Sequence, residues 1–171
     1  MTHFNFTPST DKATARQQIL DFLASRKMVP IKEDFQKPWG GYFCIADSDL
    51  ELFRQEFFPE QLDLKDSSLP LSPKILLVAP KARLSWQYHF RRGEIWKVLF
   101  GPVGVVQSTT DEQTTEKLYD SDQIIEHEKE IRHRLVGADN WGVVAEIWKH
   151  TDPQNLSNEE DIVRLQDDYG R

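Results

Sequence analysis

The chain has 171 residues, 39% of them hydrophobic and 29% charged, with a formal net charge of −7; this suits one soluble, globular domain with a sizeable core rather than a disordered chain. Negative charge repels phosphate backbones, so no nucleic-acid partner is expected, and an anionic small molecule is admitted only where local Arg or Lys residues reverse the field. Cys44 is the only cysteine, so no internal disulfide can form and a reducing compartment is indicated, while the lack of any run of about 18 apolar residues argues against a membrane span.

The start, MTHFNFTPST (1–10), has no basic region leading into an apolar run, so no signal peptide is expected and the chain reads as cytoplasmic. His3 falls near a frayed terminus. Ser9 or Thr10 can cap a helix running to about Lys27, with Ala15, Ile19, Phe22 and Leu23 on one face. That helix is expected to cover one face of the main body. WGGYFCI (39–45) reads as a strand. Ser48 with Glu51 three residues on forms a capping-box pattern, and Leu50, Phe53 and Phe57 continue a helical stripe that Pro59 ends. Residues 60–73 are loop-like and hold Pro70 and Pro73.

From Lys74 the texture changes. KILLVA, LSWQYHF, EIWKVLF, PVGVVQS, EKLYD, QIIEHE, RHRLV and WGVVAEIWKH are short β-rich runs, most of them separated by turn-like residues. Many short strands at such spacing predict a β-sandwich or barrel rather than an α/β sheet. The acidic tail, EEDIVRLQDDYGR, keeps Ile162, Val163 and Leu165 in its middle and reads as docked. The expected organisation is a helical extension over 1–36 and a mainly β body with its tail over 37–171, within a single domain.

One stretch, QYHFRRGEIWKVLFG (87–101), carries donor atoms. Alternate strand residues share a face, so Gln87 and His89 point one way and Trp86, Tyr88 and Phe90 the other. Arg92-Gly93 allows a turn, and an antiparallel hairpin would bring Glu94 back towards His89, with Trp96 and Val98 on the face of Glu94. His133 in RHRLV offers a fourth donor. A shell of two imidazoles and two oxygens suits Zn, Fe(II), Mn, Co or Ni. The competing reading is a surface hairpin with polar side chains. His127, in the acidic run EHEKE, is expected to face solvent. Cys44 is expected to be a buried small hydrophobe, and Trp86 and Trp96 core or cavity wall.

These residues resemble a known family. HFRRGEIWKVLFG resembles the first cupin motif, with Gln87 in place of the first His, and Glu94 followed after six residues by Gly101. The run ARLSWQYHFRRGEIW (82–96) is similar to the cupin domain of type II phosphomannose isomerases. KPWGGY (37–42) resembles its Pro-Trp-Gly segment, EDIVRLQDDYGR (160–171) its C-terminal signature, and HRL (133–135) stands where its second-motif histidine does. Two places depart from the pattern: Lys81 stands near the usual Gly, and HEKEIRHR replaces a Pro-Ala-Gly turn before His133. A helix and loop also occupy 48–73, where the family has a strand.

The resemblance implies a mainly β cupin fold: a double-stranded β-helix, or jelly-roll-like barrel, with an N-terminal helix and a short helical insertion. It implies a divalent metal, zinc first, held by Gln87, His89, Glu94 and His133. It implies interconversion of mannose 6-phosphate and fructose 6-phosphate. Glu94, Lys149 and His150 are candidates for the base that moves the proton. Arg83 and Arg164 are candidates for holding the sugar phosphate, since an Arg fork suits phosphate. An isomerase for another sugar phosphate, such as a heptose phosphate, and a non-catalytic sugar- or small-molecule-binding cupin are the alternatives. An Fe(II) oxygenase is disfavoured by Gln87. A homodimer is plausible because exposed sheet edges invite pairing. The nucleotidyltransferase domain that many such cupins follow is not in the sequence, so sugar-nucleotide synthesis is not expected.

Overall fold

A computed structural model describes residues 4–65 and 67–170 of the chain; His3 lies outside them. Asp11, rather than Ser9 or Thr10, caps the first helix. Its carboxylate accepts from the Thr14 N–H at 2.9 Å, and helix α1 runs Lys12–Ser25. The Thr10 hydroxyl is used in a turn instead, accepting from the Thr7 N–H. Ala15, Ile19, Phe22 and Leu23 form the buried stripe of α1, as 3.6-residue spacing requires.

The capping box expected at Ser48 does not form. A 3-10 turn at Asp47–Asp49 leads into helix α2 (Leu50–Phe57). Glu51 is drawn away by Arg54 and Gln55, at 2.7 and 2.6 Å. A short helix, α3 (Leu62–Lys65), interrupts the segment expected to be loop.

Eleven strands follow or precede these helices: β1 (Pro30–Asp34), β2 (Gly40–Ile45), β3 (Leu71–Val78), β4 (Trp86–Tyr88), β5 (Arg92–Phe100), β6 (Val103–Ser108), β7 (Lys117–Tyr119), β8 (Ile124–His127), β9 (Arg132–Gly137), β10 (Gly142–His150) and β11 (Val163–Gln166). They form two antiparallel sheets, in the orders β1-β2-β3-β10-β5-β8 and β11-β4-β9-β6-β7. No ladder joins the sheets among the described residues, so the expected barrel is an open pair of facing sheets.

Strand alternation sorts the side chains of the first sheet into two layers. Ile75, Leu77, Ile95, Leu99, Val143, Ala145 and Ile147 pack outward against Ile19, Leu23, Phe53 and Phe57 of the two longer helices. Leu76, Val78, Trp96, Val98 and Val144 pack inward with Val103, Val105 and Leu135 of the second sheet. Burying each such aliphatic side chain contributes about 1.5–3 kcal/mol. The apolar layers can therefore carry the polar groups buried between the sheets.

Lys81 and Glu130 have positive φ, 61° and 65°. They stand where the resemblance asks for a glycine and for a Pro-Ala-Gly turn. A left-handed non-glycine residue costs about 1–2 kcal/mol. Hydrogen bonds hold both in place: the Lys81 N–H donates to the Ala138 carbonyl, and the Glu130 N–H to the His89 carbonyl.

Candidate metal centre

The expected hairpin between Gln87 and Glu94 is instead a corner between sheets. β4 belongs to the second sheet and β5 to the first. Residues 89–91 cross from one to the other, which leaves Phe90 half exposed on the outside. Crossing still brings the donors together: His89 Nε2 lies 3.2 Å from Glu94 Oε1. His133, on β9, reaches the same carboxylate from the second sheet, with Nε2 3.3 Å from Oε2. One ligand atom each from His89, Glu94 and His133 lies within 4.8 Å of the others, and all three residues are buried.

Hydrogen bonds to the far ring nitrogens fix the tautomers. A carbonyl only accepts, so His89 Nδ1 donates to the Asp161 carbonyl at 2.5 Å and His133 Nδ1 to the Ile131 carbonyl at 2.9 Å. His89, neutral, therefore turns an unprotonated Nε2 towards Glu94, and His133 turns its Nε2 to the same carboxylate. This is the arrangement in which imidazoles hold metal ions, with the outer N–H anchoring each ring. Burial, with the Arg92 and His133 charges, pushes His89 down to about 3, against the pull of Glu94. Burial alone would raise the Glu94 carboxyl; His89, Arg92 and His133 outweigh it and hold it well below the usual range. Among hydrogen-bonding atoms, His133 Nε2 is buried and without a partner. Two imidazole nitrogens converging on one buried carboxylate are a mixed N/O donor set, so the residues fit a divalent ion.

Gln87 pairs with His133 across the β4–β9 ladder and lines the cleft that Glu94 also lines. Its side-chain oxygen accepts from Ser85 Oγ at 2.7 Å. Arg92 was not singled out by its sequence context, yet it sits at the centre. Its Nε donates to Glu94 Oε1 at 2.8 Å and its Nη2 to His89 Nε2 at 3.1 Å. A metal ion and this guanidinium thus contend for one imidazole lone pair. The Nη1 of Arg92 holds Ser157 Oγ and the Asn158 carbonyl, in the 151–162 connection between β10 and β11.

His127 does not face solvent. It is 1% exposed, because the β5–β8 ladder sets it opposite Glu94 and alternation sends Glu126 outward in its place. Its ring stacks on His133 at 4.4 Å. Gln107 Nε2 approaches both the Glu126 carbonyl and His127 Nδ1, at 2.8 and 2.7 Å. It must donate to both, so the proton of the neutral His127 ring is on Nε2, the opposite tautomer to His89. Burial lowers the His127 pKa well below the usual imidazole value.

An open cleft leads to Glu94. Its walls carry Trp39, Tyr42, Trp148 and Trp96, with Lys74, Glu146, Glu159 and Arg164 among them. Trp96, on the Glu94 face as its spacing predicts, donates Nε1 to both Glu94 Oε2 and Glu146 Oε1, at 3.2 and 2.9 Å. Burial, and then the Glu94 charge, push the Glu146 carboxyl well above the usual range.

The remaining sequence candidates fall as follows. Arg164 lines the cleft, next to Gln87 in the β4–β11 ladder. Among the described residues it is the one arginine with no ion pair or hydrogen bond. Arg83 lies outside the cleft lining, with Nη1 3.5 Å from Asp168. Lys149 points to the other side of β10 from Glu146 and pairs with Glu126 at 3.0 Å. His150 is buried, donating Nε2 to Ser72 Oγ because its Nδ1 already accepts the Ser157 N–H. Cys44 is half buried, and burial raises its thiol pKa.

Lys74 and Glu146 are the cleft residues that the sequence reading passed over. The signal was a single charge inside an apolar strand, in SPKILLVA and in GVVAEIW, on the face that alternation turns inward.

Residues 60–167 match the family described as mannose-6-phosphate isomerase C-terminal. No curated protein matches the chain in sequence. Among solved structures, the capsular polysaccharide assembling protein CapF from Staphylococcus aureus resembles it with a TM-score of 0.53 at 10% identity, over 81% of this chain and 34% of that one. Vicilin from hazelnut, Corylus avellana, resembles it with a TM-score of 0.54 at 12% identity, over 77% of this chain and 36% of that one. The chain spans about a third of the length of either, and likeness at such identity is likeness of fold.

Proposed function

The chain belongs to the mannose-6-phosphate isomerase C-terminal family, a cupin family, and on that premise we propose that it is a metal-dependent sugar-phosphate isomerase interconverting mannose 6-phosphate and fructose 6-phosphate. The observation that carries this reading is the pair of buried imidazoles, His89 and His133, turning their Nε2 atoms onto Glu94 at the end of a cleft.

His89, Glu94 and His133, with Gln87 beside them, would hold the ion. When bound, a divalent metal supplies Lewis acidity towards the sugar oxygens as negative charge develops. Glu146, in its ionised form, would move the proton between C1 and C2: its carboxyl lines the cleft next to Glu94, and burial raises its pKa, which makes the carboxylate a stronger base. It takes precedence over Lys149, which faces away, and His150, whose two nitrogens are both engaged. Glu94 has its oxygens shared among four neighbours, which suits a ligand better than a base. Trp96 would keep the two carboxyls in register. Arg164 would receive the phosphate. Arg164, Gln87 and His133 lie on successive strands, so strand spacing sets the Arg164 and His133 backbones roughly 10 Å apart. That span fits a sugar with its phosphate several carbons from the reacting end.

The test is conversion of a panel of sugar phosphates by purified protein, stripped of metal and reloaded with Zn, Mn, Co, Ni or Fe(II). Mannose 6-phosphate is expected to be converted, glucose 6-phosphate and a heptose phosphate less well. A second reading, a sugar-phosphate-binding protein without turnover, draws on Arg92, which holds two of the ligand atoms. Tight binding of mannose 6-phosphate with no conversion under any metal would favour it.

A further inference from the structure

Lys74 is buried in the cleft, and its ammonium has one carboxylate partner, Glu159, at 2.5 Å. The two ends of this ion pair differ. Lys74 projects from β3 near the middle of the first sheet. Its Nζ sits over the Trp148 ring at 3.5 Å and the Tyr42 ring at 4.7 Å from the centroids. The side chain of Glu159 is 44% exposed, against 6% for Lys74, and lies in the 151–162 connection beside the cleft. Tyr42, whose ring flanks Lys74, lines the same cleft.

Charge decides what can happen to such a pair. A half-exposed carboxylate released to water regains its hydration at little cost. A caged ammonium left without a counter-charge costs several kcal/mol, about 3–5 when a buried pair loses one partner. Glu159 therefore leaves most readily where another anion replaces it, and a neutral ligand supplies none. Arg164, unpaired, lines the same cleft, as do both members of the ion pair.

We propose that Lys74 and Arg164 form an anion subsite for the phosphate monoester of the cleft's ligand, and that Glu159 is its internal occupant, displaced when the ligand binds. The proposal rests on the reading that the cleft takes a sugar phosphate. Glu159 then acts as a filter. It competes weakly against a dianion gripped by two cations, whereas unphosphorylated sugars, which carry no charge for Lys74, neither displace it nor use the subsite.

Calorimetry on the full chain, with mannose 6-phosphate, inorganic phosphate and unphosphorylated mannose as probes, tests this. Glu159→Gln is expected to bind both phosphate probes about tenfold more tightly than the wild type, a change of about 1.4 kcal/mol, with mannose binding unchanged. Glu160→Gln, one residue along, is expected to leave all three affinities unchanged. Inorganic phosphate should also raise the melting temperature of Glu159→Gln by more than that of the wild type. Phosphate affinity that is unchanged or weaker in Glu159→Gln overturns the proposal. Should that variant not fold, the exposed Arg164→Gln serves: about tenfold weaker phosphate binding is expected, and undiminished binding overturns the subsite. A chain that meets these expectations but converts no sugar keeps the subsite and loses the isomerase reading. A chain that converts mannose 6-phosphate but is indifferent to Glu159 does the reverse.

Discussion

His133 Nε2 stands 3.3 Å from Glu94 Oε2, while the Nδ1 of the same ring is tied to the Ile131 carbonyl. A bound cation would join the two inward-facing donors. Metal is therefore expected to stabilise the fold, by about 2.7 kcal/mol at a hundredfold excess over its dissociation constant. Thermal melts of stripped and reloaded protein measure this. His89→Ala and His133→Ala should each lose bound metal and that stabilisation together. Full metal content in both variants would show that the ligand set lies elsewhere.

Arg92 joins three parts of the site: Glu94, His89 and the 151–162 connection through Ser157. It is buried and cannot be replaced by water. Arg92→Met is expected to cost about 3–5 kcal/mol, the range for breaking a buried charge pair. Urea denaturation reads the loss, and hydrogen exchange should locate the loosened backbone at Ser157 and Asn158. A loss below about 1 kcal/mol would put the pair in the class of exposed ion pairs.

The pH dependence of stability has a defined sign in metal-stripped protein. His89 is held at about 3 by burial first, and burial lowers His127 as well, from the ordinary 6.5. The unfolded chain binds these protons first, so both contributions are complete above 6.5 and are lost as pH falls towards the folded values. Glu146 acts oppositely, since burial keeps it protonated and the unfolded chain releases its proton above about 4.5. Two histidines outweigh one carboxyl between about pH 5 and 6.5, so stability should rise there, at up to about 1.4 kcal/mol per pH unit for each net proton. Above pH 7 it should fall, with Glu146 alone, by up to about 1.4 kcal/mol per pH unit while that carboxyl stays protonated in the folded chain. Denaturation midpoints that are flat or falling from about pH 5 to 6.5 would contradict the buried neutral imidazoles.

Lys81 and Glu130 offer a test free of the site's chemistry. Both have positive φ, which glycine adopts without strain. Lys81→Gly and Glu130→Gly should each raise stability by up to about 1 kcal/mol, the strain relieved less the added chain entropy. A melting temperature lowered by either would mean the lysine or glutamate side chain contributes more than its backbone costs.

The strands were legible in the sequence because each alternates or runs apolar between turn residues, and Gln87, His89, Glu94 and His133 were legible through their motif spacing. Pairing was not. Whether 89–91 made a hairpin or a corner depended on partners far along the chain, β9 and β11 for β4 and β10 for β5. Placement of His127 failed for a related reason. The charge of EHEKE suggested a solvated face, but the register with β5 set which of its residues turned inward. Lys149 and His150 were chosen for their types, whereas alternation along β10 turns Lys149 away from Glu146 and Trp148, and His150, on their face, is held at the strand end by Ser72 and Ser157. Arg83 and Arg164 looked equivalent by motif, and only the fold shows one paired with Asp168 and the other unpaired in the cleft.

The most direct test of the central claim is to incubate mannose 6-phosphate with the protein in deuterated water, with and without reloaded metal, and follow the sugar by NMR. Fructose 6-phosphate forming only in the metal-loaded sample, with deuterium entering at C1 or C2, is the predicted result. Stoichiometric metal on the protein with neither fructose 6-phosphate nor deuterium in the sugar would contradict the isomerase assignment.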